Sequence, residues 1–388
     1  MSSVRVAGVG LTPFGEHPNR TTRDLFAEAG VAAMADAGVD AEVIDAVYFG
    51  NFVGELADAQ GHQGPIAAEC LGVDAPATRF ESACASSGVA VRHAVRAIES
   101  GDADVVVVGG AERMTHAGTD AATGMLATAA DALYEVSAGM TFPGAYALMT
   151  DAYFDAYGGS RRDLAHVAVK NHEHALENEH AQFQFSVSVD DVLDAPTVAS
   201  PLGLLDACPV TDGASALVLV SETVAREADV TAPVEVTGSG QGTDKIALQD
   251  RESLSRTPAT ETAATEAYEA AGITPADVDV VEVHDCFTSA EVFALEALGL
   301  FEAGEAITAA RDGTTRRDGD LPVNLSGGLK AKGHPVGATG ASQLVEMTRL
   351  LRGDHPNSEY VADATTGITH SAGGTVASTT VHVLEECT

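Results

Sequence analysis

Residues 37–49, AGVDAEVIDAVYF, decide the fold because residues 271–283, AGITPADVDVVEV, repeat their pattern 234 positions later. Each copy ends an alanine-rich amphipathic helix at a glycine, Gly38 or Gly272, and then turns through an aspartate into a hydrophobic strand. A helix that leads through a short turn into a buried strand is a unit of α/β architecture. Two such units indicate that one half of the chain duplicates the other.

A second pair of similar helices supports the duplication. Residues 88–102, GVAVRHAVRAIESGD, and residues 340–354, GASQLVEMTRLLRGD, both start at a glycine and close with Gly-Asp, 252 positions apart. The polar segment GTTRRDGD at 313–320 can absorb the difference of 18 between the two offsets as a longer loop. Continuous Val/Leu runs at 104–110 and 214–222 are typical of strands buried on both faces.

The repeat also predicts the domain organisation. Residues 115–208 have no counterpart in the second half, and they carry clustered His, Phe, Tyr and Met. We therefore predict an N-terminal half at 1–114 plus 209–228, an inserted domain at 115–208 and a C-terminal half at 229–388. The inserted domain is expected to cover the active site.

Charge and composition exclude several classes of protein. The formal net charge is -36, from 57 acidic and 21 basic residues scattered through the chain, which makes nucleic acid an improbable partner and suggests a salt-loving host. The sequence has no uninterrupted apolar run of about 18 residues and no signal-peptide order at its start, so we expect a cytoplasmic protein that does not enter membranes. Its five cysteines are widely spaced without CxxC, so free thiols are expected.

A cysteine before a predicted helix is the first candidate for chemistry. Residues 80–88, FESACASSG, place Cys84 near a helix amino terminus, where backbone N–H groups and the helix dipole favour a thiolate. Small neighbours leave room for a ligand. The alternative is a small cysteine buried in the core, because free cysteines are commonly buried.

A histidine occupies the duplicated position. Residues 327–340, GGLKAKGHPVGATG, place His334 just before the repeated helix, and Cys84 maps near Val336 by the second offset. A Cys/His pair facing one pocket is the expected result, although an ordinary glycine-rich turn would have the same composition. Lys330 and Lys332 are two of only four lysines, and they are candidates for binding the phosphates of a substrate or for a solvated turn.

A second cysteine follows the predicted strand of the second half. In EVHDCF, residues 282–287, His284 and Cys286 are two apart, so a regular strand would point both to one side and Asp285 to the other. They supply a proton donor, an acceptor and an oxyanion contact, or else a buried thiol beside a hydrogen-bonded histidine. Residues 367–376, GITHSAGGTV, predict a turn whose N–H groups could face a thioester oxygen, or a purely structural turn.

Taken in order, these motifs resemble the thiolase family over essentially the whole chain. They are ESACASSG, SPLGLLDACPVTDGASALVL, HDCF, GGLKAKGHPVGATG and HSAGG. The resemblance implies an α/β protein with a duplicated five-layer αβαβα fold and an inserted loop domain that binds coenzyme A. It further implies a homodimer or homotetramer that acts on acyl-CoA without a cofactor or metal.

The resemblance also assigns roles residue by residue. Cys84 matches the acylated nucleophile, His334 the histidine that activates it, and Gly373, with the Cys84 N–H, an oxyanion site. The commonest thiolases have Asn-Glu-Ala-Phe where this chain has HDCF, and a late cysteine where it has Ser371 or a neighbour. Ser371 is a candidate for binding coenzyme A. Because the pattern is similar to sterol-carrier-type and archaeal thiolases, Cys286 is the expected acid/base, with His284 beside it.

The implied reaction is ping-pong acyl transfer from one acyl-CoA through Cys84 to a second acetyl-CoA, giving a 3-ketoacyl-CoA. Archaeal relatives supply acetoacetyl-CoA to a hydroxymethylglutaryl-CoA synthase and can associate with it through a zinc-bearing OB-fold protein. Alternatives are a 3-ketoacyl-CoA thiolase of fatty-acid degradation, a ketoacyl or hydroxymethylglutaryl synthase, and an inactive scaffold subunit. A further alternative is a zinc site made of the two candidate cysteines and the two candidate histidines.

Overall fold

A nine-stranded mixed sheet forms the centre of the molecule. The computed structural model describes residues 3–227 and 230–387 of the chain. Strands and helices alternate through the first half, as the apolar runs predict. Its elements are β1 Val4–Leu11, α1 Thr22–Ala37, β2 Ala46–Gly50, α2 Gly54–Ala57, α3 Gln63–Leu71, β3 Ala77–Phe80, α4 Ser86–Ser100, β4 Val105–Glu112, β7 Gly213–Ser221 and α9 Glu222–Glu227.

The second half repeats this alternation after an excursion that lies between β4 and β7. The elements of the excursion are α5 Thr119–Ala127, α6 Phe142–Tyr157, α7 Arg161–His174, α8 Val189–Asp194, β5 Thr197–Ala199 and β6 Leu202–Gly203. Those of the second half are β8 Val234–Thr243, α10 Pro258–Ala271, β9 Val280–Glu282, α11 Thr288–Ala297, α12 Ala306–Asp312, α13 Thr339–Arg352, β10 Thr366–Gly373 and β11 Ser378–Glu386.

The strand order confirms the duplication. Across the sheet it runs β3-β2-β4-β7-β1-β8-β11-β10-β9, so each half contributes the same order read outward from the centre. Val323 bridges Val281 in parallel at the edge, where it mirrors β3. The halves meet where β1 pairs with β8 through two residue pairs, Arg5 with Glu235 and Val6 with Val234.

Matching residues form the same turn in each half. Gly38 and Gly272 end α1 and α10 in the left-handed conformation, with φ of 67° and 74°. The carboxylate of Asp45 accepts the N–H groups of Asp104 and Val105 at 2.8 and 2.9 Å. Asp279 accepts the two N–H groups at the start of β10 at 2.8 and 3.0 Å. The aspartate in each repeat therefore fixes the start of the neighbouring strand.

Helices lie in three layers around the two halves of the sheet. α1 and α3 cover the outer face of the first half, and α10 and α11 cover that of the second. The duplicated helices α4 and α13 pack against each other and against both halves in the central apolar cluster. The predicted five-layer αβαβα fold is therefore confirmed.

The predicted domain boundaries at 114/115 and 208/209 stay a prediction, and the one at 228/229 lies outside the described residues. Within residues 3–227 and 230–387, no helix combines the length and the apolar character needed to cross a bilayer.

Candidate active site

A cavity of about 220 Å³ lies where the two halves meet the excursion between β4 and β7. The predicted residues Cys84, His284, Cys286 and His334 all line it. The remaining wall is largely apolar, and much of it comes from the excursion. Those residues include Thr119, Thr123, Leu126, Phe142, Pro143, Tyr146, Val198 and Leu204.

Cys84 lies two residues before α4, at the predicted helix start. The preceding Ala83 has φ of 49°, a left-handed conformation that is strained for a residue with a side chain. Hydrogen bonding from the Gly374 and Cys84 backbone acts to lower the pKa of the Cys84 thiol. Burial nevertheless raises the pKa of this thiol to about 12. The expected resting thiolate is therefore wrong, because desolvation outweighs the backbone donors, and the nucleophile rests as a neutral thiol.

His334 faces the same cavity, with its orientation fixed by a hydroxyl group. Its Nδ1 lies 2.7 Å from the Thr339 hydroxyl oxygen, and that hydroxyl donates to the carbonyl oxygen of Pro335 at 3.1 Å. Because this donation uses the hydroxyl proton, Nδ1 carries the imidazole proton and Nε2 is left as the acceptor. Burial lowers the pKa of His334 to about 3, so the ring is neutral and able to take a proton from a thiol.

His284 and Cys286 both line the cavity although the strand β9 ends at Glu282. The His284 ring stands edge-on to that of His334, with ring centres 4.9 Å apart. Neither nitrogen of His284 has a hydrogen-bond partner in the described part of the chain. Burial holds the pKa of His284 well below its usual value and that of Cys286 well above. A buried imidazole without partners is available to a ligand oxygen.

Three of these groups are close to one another. The Cys84 sulfur and a nitrogen from each of His284 and His334 lie within 4.8 Å of one another. Among the described residues, Cys286 is not a member of this group, so the four-ligand zinc set considered from the sequence is not assembled. A sulfur from one half and imidazoles from the other do meet, as the repeat predicts.

Lys330 and Lys332 do not face the cavity or solvent. Both are 1% exposed, within and at the end of a short π-helical segment at Gly328–Lys332. The Lys332 ammonium lies 3.5 Å from the Glu346 carboxylate, and both groups are buried. Their predicted role in binding phosphate is wrong, because a phosphate cannot reach an ammonium group that is enclosed by protein.

The late turn is displaced by one residue from its prediction. Gly374 lines the cavity, whereas Gly373 pairs with Ser378 at the end of β10 and lies against the backbone before Cys84. The N–H that faces the nucleophile therefore belongs to Gly374. Ser371 is buried, and its hydroxyl donates to the carbonyl oxygen of Cys84 at 3.4 Å, so it supports the nucleophile loop and does not face a coenzyme.

Comparison with known proteins agrees with this geometry. Residues 4–223 match the thiolase N-terminal domain and residues 240–386 match the thiolase C-terminal domain-like family. This chain belongs to the thiolase family. It is 44% identical to an acetyl-CoA acetyltransferase of Methanothermobacter thermautotrophicus over 99% of both chains, and 40% identical to that of Methanocaldococcus jannaschii over 100% of both. A chain of the Ltp2-ChsH2(DUF35) aldolase superposes with a TM-score of 0.85 at 26% identity, over 99% of this thiolase and 98% of that chain.

One buried carboxylate near the cavity of this thiolase was not predicted from the sequence to have a structural role. Glu112, at the end of β4, is buried and accepts the side-chain amide of Asn51 at 2.8 Å and the N–H groups of Phe52, Val53 and Gly337 at 2.8, 3.2 and 3.1 Å. Burial raises its pKa to about 8. It ties a loop of the first half to the turn after His334. The sequence feature that could have identified Glu112 is an acidic residue at the end of an apolar strand.

Two further groups in the thiolase cavity escaped the motif analysis. Tyr146 comes from α6, and Cys208 lies near the end of the excursion, before β7. The N–H of Cys208 donates to the carbonyl oxygen of Cys286 at 2.9 Å. Burial raises the pKa of the Cys208 thiol to about 12. Tyr146 lies outside every motif quoted from the sequence, whereas Cys208 lies in SPLGLLDACPVTDGASALVL but was given no role there.

Proposed function

We propose that this thiolase condenses two acetyl-CoA molecules to acetoacetyl-CoA, and cleaves the product in reverse, through an acyl-enzyme on Cys84. The observation that carries the proposal is the meeting of the Cys84 sulfur with nitrogens of His284 and His334 within 4.8 Å, in a cavity that Cys286 also lines. The two archaeal relatives are acetyl-CoA acetyltransferases by name, which supports acetyl-CoA as the substrate.

In the proposed first half-reaction, Nε2 of His334 takes the proton of Cys84 as its sulfur attacks the thioester carbon. The thiol of Cys286 protonates the departing coenzyme A sulfur and becomes a thiolate. The oxyanion is stabilised by the N–H groups of Gly374 and Cys84. Both partners start neutral, and the acyl-enzyme then holds a protonated His334 and a Cys286 thiolate.

In the second half-reaction, the Cys286 thiolate removes an α proton from a second acetyl-CoA, whose thioester oxygen is held by His284. The resulting enolate carbon attacks the acyl carbon, and Cys84 leaves as a thiolate that recovers its proton from His334. Every proton is thereby returned: two acetyl-CoA give one acetoacetyl-CoA and one free coenzyme A, and the thiols and the imidazole regain their starting states.

The solved relative named as an aldolase shows that the fold alone does not select the chemistry. Acyl transfer is favoured here because Cys84 supplies a nucleophile beside a neutral imidazole acceptor. Thiolysis of longer 3-ketoacyl-CoA in fatty-acid degradation is the second candidate, since the cavity wall beyond the four polar groups is apolar. An inactive scaffold subunit would keep the fold but would not acylate Cys84.

The biological setting is proposed on the same basis. We expect a cytoplasmic homodimer or homotetramer that passes acetoacetyl-CoA to a hydroxymethylglutaryl-CoA synthase through a zinc-bearing OB-fold protein. The name of the solved relative joins two components, which supports a partner protein.

Acylation measured by mass tests the proposal directly. Incubation with labelled acetyl-CoA should label Cys84 in the wild type and leave Cys84→Ala unlabelled, whereas Cys70→Ala, a thiol on α3 away from the cavity, should behave as wild type. Cys286→Ala should still be acylated by an aryl thioacetate, whose thiolate leaves without a proton, yet should not condense. Turnover with acetyl-, acetoacetyl- and longer 3-ketoacyl-CoA then separates the two candidates. Absence of label on wild-type Cys84 would contradict both.

A further inference from the structure

The turn between β10 and β11 carries the Gly374 N–H and is held from two sides. Gly374 and Val376 have φ of 61° and 65°, and the left-handed conformation is strained for valine. Arg251 donates to the carbonyl oxygen of Thr375 at 2.6 Å and to its hydroxyl at 2.9 Å. Tyr146 donates to the carbonyl oxygen of Gly374 at 3.1 Å. These contacts hold the turn in the conformation that points an N–H at the nucleophile.

Tyr146 also contacts a second element of the site. It is 1% exposed, and its ring stacks on Phe287 with centres 4.7 Å apart and planes at 30°. Cys286 is the residue before Phe287, Tyr146 and Cys286 line the same cavity, and the Tyr146 hydroxyl acts to lower the pKa of the Cys286 thiol against the larger effect of burial. One phenol therefore holds the oxyanion turn and lies beside the proposed acid/base.

The phenol has one proton and two neighbours that can accept it. While Cys286 is a thiol, the phenol donates to Gly374 and its oxygen is free to accept the S–H. When Cys286 becomes a thiolate, a hydrogen bond to the charged sulfur is stronger than one to a neutral carbonyl. Rotation about the C–O bond transfers the donation from the carbonyl to the sulfur.

We propose that Tyr146 is a positioning residue that stabilises the thiolate form of Cys286 by redirecting its hydroxyl from the Gly374 carbonyl to that sulfur. This inference rests on the proposed function for its role in turnover, but the contact itself can be tested without turnover. A role confined to holding the turn would affect the oxyanion site and leave the reactivity of Cys286 unchanged.

The first test measures thiolate reactivity. In full-length Cys84→Ala protein, the rate of Cys286 alkylation by iodoacetamide is followed by peptide mapping between pH 7 and 9.5. Adding Tyr146→Phe should slow it about tenfold at each pH, as expected for loss of a hydrogen bond to a charged group. Tyr153→Phe is the matched control, since Tyr153 lies on the same helix and donates to Glu296 at 2.5 Å outside the cavity. It should leave the rate unchanged.

The second test separates the two half-reactions in otherwise wild-type protein. Because Arg251 still holds the turn, Tyr146→Phe should slow acetoacetyl-CoA formation about tenfold more than it slows acylation of Cys84 by an aryl thioacetate. Equal losses in both rates with unchanged alkylation of Cys286 would overturn the inference and leave only a role in the turn. If wild-type Cys84 is not acylated at all, the proposed function fails, whereas the alkylation rates still decide whether Tyr146 supports the thiolate.

Discussion

At the scale of single residues, the Thr339 hydroxyl decides which nitrogen of His334 is available. It accepts from Nδ1 at 2.7 Å while donating to Pro335, so Nε2 faces the cavity as a base. Thr339→Val keeps the shape and removes the acceptor, so both tautomers and other ring orientations become accessible. We expect Cys84 acylation by acetyl-CoA to slow about tenfold or more, measured by rapid quench and intact mass.

Thr348→Val is the matched control for that change. Thr348 lies on the same helix, α13, is buried, and its hydroxyl has no partner in the described residues. Removing an unsatisfied buried hydroxyl costs little and can stabilise the fold. An acylation rate that falls equally in both variants would show that Thr339 acts only through helix packing.

The pH dependence of acylation follows from two shifted groups. The pKa of His334 is lowered to about 3 and that of Cys84 raised to about 12, both by burial. The base is therefore neutral above about pH 4, and the thiol stays protonated up to high pH. We expect the rate of Cys84 acylation by an aryl thioacetate to be flat between pH 5 and 9. A rising limb near pH 6.5, the ordinary value for histidine, would contradict the buried, neutral pair.

At the scale of elements, glycines on β1 and β8 let the outer helices approach the sheet. A Cβ added at Gly8 or Gly10 would overlap carbonyl oxygens of α1, and one added at Gly240 would overlap that of Ala263 on α10. The corresponding strands β1 and β8 thus both have glycines where a helix packs closely against them. We expect Gly240→Ala to lower the free energy of unfolding by about 3 kcal/mol, because backbone must move to admit the methyl group. Chemical denaturation measures the change.

Gly124→Ala provides the comparison for Gly240→Ala. Gly124 lies in α5, and a Cβ there would meet no atom within 4 Å. Alanine in an open helical position should leave stability unchanged or raise it by up to about 1 kcal/mol. Similar losses in both variants would contradict the close approach of α10 to β8.

Sequence reasoning predicted the features that are repeated or local. The turns at Gly38 and Gly272 carry their conformation in their own residues, and the duplication then places Cys84 and His334 together. It failed where packing between distant segments decides the outcome. Lys330, for example, is buried near Asp206 and Asp285, which lie far from it along the chain. Likewise, Tyr146 reaches the cavity only because α6 packs over it. The motif HSAGG has two adjacent glycines, and the sequence alone does not tell which of them, Gly373 or Gly374, lines the cavity.

At the scale of the whole molecule, the excess of acidic residues opposes folding at low ionic strength. The net charge of -36 is spread over one chain, so self-repulsion is long-ranged when the Debye length is large. Specific pairs do not remove it, because most arginine–carboxylate pairs are partly exposed and such pairs contribute little. Added salt screens the repulsion.

We therefore expect the melting temperature to rise most steeply between about 0.01 and 0.15 M KCl, where the Debye length falls from about 30 to about 8 Å. Calorimetry at fixed pH measures it, and sucrose at matched osmolality is the control, since solute exclusion is weak at such concentrations. Screening of the carboxylate charges acts at lower KCl concentrations than exclusion of solute from the protein surface. The concentration range in which the melting temperature rises therefore identifies the cause. A melting temperature that is constant below 0.2 M KCl and rises only in molar salt would show that repulsion among the carboxylates is not what limits stability.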